Sequence, residues 1–140
     1  MFTKNFEEQL TAWKTFRDLL ETSEDPFRQV MELYRQAPLH RISCDPWDQS
    51  TWAGPWELLK ENQYCEFGIV LGMCYSLQLT DRFKDASFEI HICTNNEKSE
   101  THYLLFVDNQ IINYNNKVVS QEDLPDALFS QRVYKMPELQ

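Results

Sequence analysis

Apolar residues recur at steps of three and four through the amino-terminal stretch. Phe6, Leu10, Trp13, Phe16 and Leu20 fall on one stripe and predict a helix of about four turns with that stripe in the core. Ser23-Glu24-Asp25-Pro26 reads as a stop and a restart, with Asp25 an N-cap and Pro26 the first helical residue. Phe27, Val30, Met31 and Tyr34 carry the apolar face of a second helix that Pro38 ends, and residues 37–54 read as irregular. Pro55 to Lys60 reads as a short helix, and Glu61-Asn62-Gln63-Tyr64 as a polar break. From Cys65 the positions Phe67, Val70, Leu71, Cys74 and Leu77 keep helical spacing to Leu79, a buried central helix of roughly 15 residues. Gly68 and Gly72, one turn apart within it, leave room for another element to approach its backbone. The period then changes to two. Phe88, Ile90 and Ile92 alternate with polar neighbours, Thr94 to Glu100 turns the chain, and Thr101–Val107 and Gln110–Asn115 form two further strands around a tight turn at Asp108-Asn109. A short helix over Gln121 to Phe129 capped by Ser120, and a last strand over Arg132 to Met136, complete the pattern. Helices first and an antiparallel sheet afterwards define an α+β fold, with the central helix buried against a small sheet, in a single domain over 1–140.

Composition narrows the function. A hydrophobic fraction of 42% and an aromatic fraction of 14%, with only three glycines, fit a folded globule rather than a linker. A formal charge of -9 with no local Lys/Arg cluster opposes approach to a phosphate backbone, so no nucleic-acid partner is expected. The amino terminus lacks a basic leader followed by an apolar stretch, and no segment is long enough to span a bilayer; a cytoplasmic protein with no membrane partner is expected. In that compartment Cys44, Cys65, Cys74 and Cys93 are expected as thiols. His40 with Cys44, or His91 with Cys93, match no common zinc-ligand spacing.

Candidate chemistry centres on Cys65. A cysteine at a helix amino terminus has its thiolate stabilised by unpaired backbone amides and the helix dipole. A two-residue loop closed by Val107 and Gln110 pairs 105 with 112, 103 with 114 and 102 with 115, which places His102 across from Asn115 at a close, non-hydrogen-bonded position. Cys65, His102 and Asn115 then supply a nucleophile, a proton shuttle and an amide that orients the imidazole. Asn62 and Gln63 lie near enough in sequence to donate to a developing oxyanion with the Cys65 amide.

Three stretches carry a family resemblance: Pro55-Trp56-Glu57-Leu58-Leu59-Lys60-Glu61-Asn62-Gln63-Tyr64-Cys65-Glu66-Phe67, then Thr101-His102-Tyr103-Leu104-Leu105-Phe106-Val107-Asp108-Asn109, then Ile111-Ile112-Asn113-Tyr114-Asn115. Over about residues 50–116 this order resembles the transglutaminase-like branch of the papain-like cysteine hydrolases, although Tyr64 stands where that family usually has Gly and Asn115 where it has Asp. The resemblance implies a small cysteine-dependent amide hydrolase or acyl transferase with a protein or peptide amide as substrate and no cofactor. The alternative is a non-catalytic binding module on the same scaffold, using Trp47, Trp52 and Trp56 as a cleft wall rather than as packing. Of the remaining groups, Cys74 and Cys93 read as core, His91 as a hydrogen-bonded surface residue, and His40 as a cation capping the preceding helix. The acidic residues at 7, 8, 18, 21, 24 and 25 read as solvated helix faces.

Overall fold

The computed structural model describes residues 1–40 and 44–139, and has the expected α+β architecture. Helix α1 (Phe6–Thr22) starts where the Asn5 side chain accepts the Glu8 N–H at 2.9 Å. Helix α2 (Pro26–Tyr34) starts at Asp25, whose carboxylate accepts the Arg28 N–H at 3.2 Å. Both caps satisfy amides that the first helical turn leaves without partners. Glu21 is not merely a solvated face: its two carboxylate oxygens accept the Asp81 and Arg82 amides, while the Arg82 guanidinium donates to the carbonyls of Leu20 and Ser23. That reciprocal clamp closes the carboxyl end of α1.

Helix α3 (Pro55–Glu61) stops at Asn62, which takes φ 52°. Helix α4 (Glu66–Gln78) follows with Cys65 as its N-cap. It is buried nearly all round, as its almost uninterrupted apolar sequence requires, and packs against α1, α2 and α3 on one side and against the sheet on the other. Gly72 fulfils the expectation of close approach. A Cβ there would stand 2.3 Å from Cε1 of Tyr34, a buried ring flanked edge-on by Phe2 and Tyr64. Gly72→Ala is therefore expected to destabilise by about 1–2 kcal/mol, the overpacking cost less the propensity gained by alanine in a helix. Chemical denaturation checks this, and a neutral or stabilising result would show that the Tyr34 ring can give way.

Strands β1 (Phe88–Asn95), β2 (Glu100–Val107), β3 (Gln110–Tyr114), β4 (Lys117–Ser120) and β5 (Leu128–Lys135) form one antiparallel sheet in the order β4-β3-β2-β1-β5. Phe88, Ile90, Ile92, Leu105, Val107, Ile112 and Tyr134 join the helices in the main core. The opposite face carries a smaller apolar layer of Cys93, Leu104 and Ile111 with Phe106, Tyr114, Val119, Leu124 and Leu128 around it.

The tail corrects the sequence expectation. No helix runs from Gln121 to Phe129: a single 3-10 turn at Gln121–Asp123 gives way to extended chain, and β5 begins at Leu128. Pro125 lacks an amide hydrogen and forces the preceding Leu124 to ψ 143°, outside the helical region. Ser120 still opens the turn, its N–H and hydroxyl both donating to the Asp123 carboxylate. Strand β4, too short to show a period, was not foreseen in the sequence pattern.

Candidate functional site

The hairpin arithmetic holds only near the turn. Val107 pairs with Gln110, Phe106 with Ile111 and Leu105 with Ile112, with Asp108 at φ 52°. Beyond Ile112 the chain bulges: Asn113 takes φ 74°, and the pairing of β3 with β4 shifts between Ile111 and Tyr114. One residue is thereby consumed without a partner, which reverses the alternation of faces. Ile111 and Tyr114, an odd number of residues apart, consequently share the outer face. Tyr114 rather than Asn115 stands against His102, with ring centroids 5.4 Å apart. Asn115 and Asn116, at φ 51° and 59°, form the turn into β4, since both central residues of such a turn need positive φ.

His102 and Cys65 are not brought together either. Neighbouring residues of a strand point to opposite faces. Tyr103 points inward, its ring meeting Phe67 of α4 edge-on at 5.3 Å. His102 pairs with Cys93, a member of the outer layer, and its Nε2 lies 3.1 Å from the Glu100 carboxylate. His102 borders a neighbouring cavity with Glu66, Ile69 and Met73 of α4 rather than the one beside Cys65, and Asn115 lies in the turn into β4.

What does surround Cys65 was only partly foreseen. Its Sγ accepts the Gly68 N–H at 3.3 Å as the cap of α4, and lies 3.8 Å from Cys44 Sγ. A cavity of about 560 Å³ opens beside the two sulfurs, walled by Leu39, His40, Pro46, Glu66, Phe67 and Tyr103. His40 reaches this wall through a parallel bridge: the His40 N–H donates to the Tyr64 carbonyl at 2.7 Å, and the Tyr64 N–H to the Pro38 carbonyl at 3.1 Å. It does not cap α2, where Arg35 occupies the capping position. Of the three histidines in the chain, His40 is the one bordering this cavity.

Electrostatics here are mixed. The Tyr103 phenol is held above its ordinary range, first by burial and then by Glu66, Cys65, Cys44 and Asp45, so at neutral pH it is a protonated hydrogen-bond donor in a negatively charged setting. Glu66 and Asp45 oppose a thiolate, whereas the α4 amino terminus favours one. Asn62 does not face the cavity, because its Nδ2 donates to the Phe2 carbonyl at 2.8 Å. Gln63 is exposed.

The other thiols are spent on packing. Burial pushes the Cys74 thiol strongly up, and it donates to Gln78 Oε1 within the same helix. Burial also raises Cys93, a shift eased by a contact with the Ser130 hydroxyl. His91 is well buried, lying 3.7 Å from Phe106 in a near-parallel stack with its ring nitrogens on Ser130 and Glu89. Trp52 packs between Phe67 and Tyr134, and Trp56 packs edge-on to Trp13. Trp47 stays half-exposed under the Arg132 guanidinium. Among the described residues no group of three or more metal-ligating side chains occurs, and no helix is long and apolar enough to cross a membrane. The chain matches no protein-family model and shows no significant similarity to a curated protein.

Proposed function

We propose that the chain performs cysteine-dependent acyl transfer or amide hydrolysis, with Cys65 as nucleophile in the cavity at the amino end of α4. The observation that carries this reading is the Cys65 thiol itself, capping a helix by accepting the Gly68 amide and opening on a cavity of ligand size. The Cys65 thiolate attacks the carbonyl carbon of an amide, the C–N bond breaks, and the amine leaves with a proton. Water or a second amine then attacks the thioester and returns the thiol. The proton-shuttle role falls to His40, the imidazole on the cavity wall, and Tyr103 donates a hydrogen bond to the developing oxyanion. His102 and Asn115 have no part in it.

The test is alkylation of native protein by iodoacetamide across about pH 4 to pH 9, mapped by peptide mass spectrometry in a Cys44→Ser background. Cys65 is expected to label at least about tenfold faster than Cys74 and Cys93 and to keep labelling below pH 7, with the rate falling in His40→Ala and unchanged in His102→Ala. An ordinary thiol profile at Cys65, or no labelling before unfolding, would sink the enzyme reading. The binding-module reading would then stand, favoured by the exposure of two large apolar side chains, Leu39 at 64% on that cavity wall and Trp47 at 48%.

A further inference from the structure

We infer that Cys44 and Cys65 form a reversible dithiol–disulfide couple that hydroperoxides oxidise, removing Cys65 from service as a nucleophile. The inference rests on the same sulfur and cavity as the proposed function, and adds a second sulfur that acyl transfer does not use.

The geometry is that of two thiols prepared to join. Their sulfurs are 3.8 Å apart, and a bond requires about 2.05 Å, so closure brings them about 1.75 Å nearer. Cys65 is fixed as the cap of α4, whereas Cys44 lies outside every helix and strand, so its adjustment breaks no ladder. Both sulfurs line the same cavity, which gives a small peroxide access to Cys65 although that residue is only 8% exposed. No other pair competes. Cys74 is enclosed within α4, and Cys93 lies on the outer face of the sheet.

The chemistry balances with a hydroperoxide as oxidant. The Cys65 thiolate attacks the terminal peroxide oxygen, the O–O bond breaks, and the leaving oxygen takes a proton and departs as water or alcohol, with Cys65 left as sulfenic acid. The Cys44 sulfur then attacks the Cys65 sulfur. The S–O bond breaks, hydroxide leaves with the Cys44 proton as water, and the S–S bond forms. Two thiols are oxidised by two electrons, and the peroxide is reduced by two. An external dithiol reverses the process by two successive thiol–disulfide exchanges.

The reduced protein is treated with one equivalent of hydrogen peroxide, quenched with N-ethylmaleimide and digested without reductant. A peptide linking Cys44 to Cys65 within one chain is expected in most molecules, lost on treatment with dithiothreitol. In Cys44→Ser, trapping with dimedone is expected to find at least about tenfold more sulfenic acid on Cys65 than in the parent. Absence of the linked peptide, or linkage only between chains, overturns the couple. The Cys65 alkylation rate in reduced Cys44→Ser separates the two ideas. Fast alkylation without linkage rejects the couple and leaves the acyl-transfer reading standing, linkage with slow alkylation does the reverse, and slow alkylation without linkage rejects both.

Discussion

Truncating Trp13 to alanine is expected to cost about 4 kcal/mol of unfolding free energy, a large part of the stability of a domain this size. Trp13 is buried on α1, and its Nε1–H donates to Ser76 Oγ at 2.9 Å, tying the first helix to α4 across 63 residues of sequence. Ser76 in turn donates to the Gly72 carbonyl and contacts the Tyr34 hydroxyl, so three helices meet at one polar point inside an apolar core. Trp56 stands edge-on to the indole at 5.3 Å, and the Arg17 guanidinium lies over both rings. Removing the indole leaves a cavity with packed walls and strips one partner from Ser76. Trp13→Phe, which keeps much of the volume and loses the hydrogen bond, should cost about half as much. Urea denaturation of the three proteins measures both, and a loss below about 1.5 kcal/mol for the alanine variant would mean that the α1–α4 contact is not central to stability.

The second large effect is alkaline. Burial pushes the Tyr34 phenol up to about 12, against smaller opposing contributions from Ser76, Trp13 and Arg17. Burial moves Tyr64 up further still. An unfolded tyrosine ionises near pH 10, so above that pH the unfolded chain binds fewer protons than the folded one and stability falls as pH rises. The contribution is fully present below pH 10 and disappears as pH climbs through the folded value. At pH 11 the loss is about 1.4 kcal/mol for each of the two residues, about 3 kcal/mol together relative to pH 8. Tyr34→Phe should remove its share of that difference. Urea denaturation at the two pH values reads the loss, and unchanged stability, or phenolate absorbance showing all six tyrosines ionising near pH 10 in folded protein, would refute it.

Helices and strands with a long apolar period were legible in the sequence. Phe6, Leu10, Trp13, Phe16 and Leu20 lie along α1, and Asp25-Pro26 opens α2 through the cap expected of it. The place of Cys65 was legible for a similar local reason, because it follows a polar break and precedes an apolar run, which fixes it as an N-cap. What was lost depended on parity. A single left-handed residue, Asn113, turns the strand over and substitutes Tyr114 for Asn115, and nothing in an Asn-rich stretch says which asparagine will bulge. Whether His102 or Tyr103 faces α4 is likewise set by the register of β1 with β2 and by which face the helices cover, both long-range facts. His40 reaches the cavity through a bridge between residues 39 and 64, a contact that no local period encodes. The 3-10 turn after Ser120 could have been read, since Pro125 stands too early for a helix of the expected length.

The strand order has a consequence for biosynthesis. β1 sits between β2 and β5, and β5 is the last of the five strands to be made. Until the residues of β5 emerge from the ribosome, the hairpins of β1 to β4 can form, but one edge of β1 remains open along Glu89 to Asn95, the segment that β5 later pairs. An unpaired edge that runs beside Ile90 and Ile92 is a template for joining other chains. A message truncated shortly before residue 128 would therefore yield a nascent chain with every helix intact and a sticky edge, destined for chaperone capture or aggregation rather than for a smaller working protein.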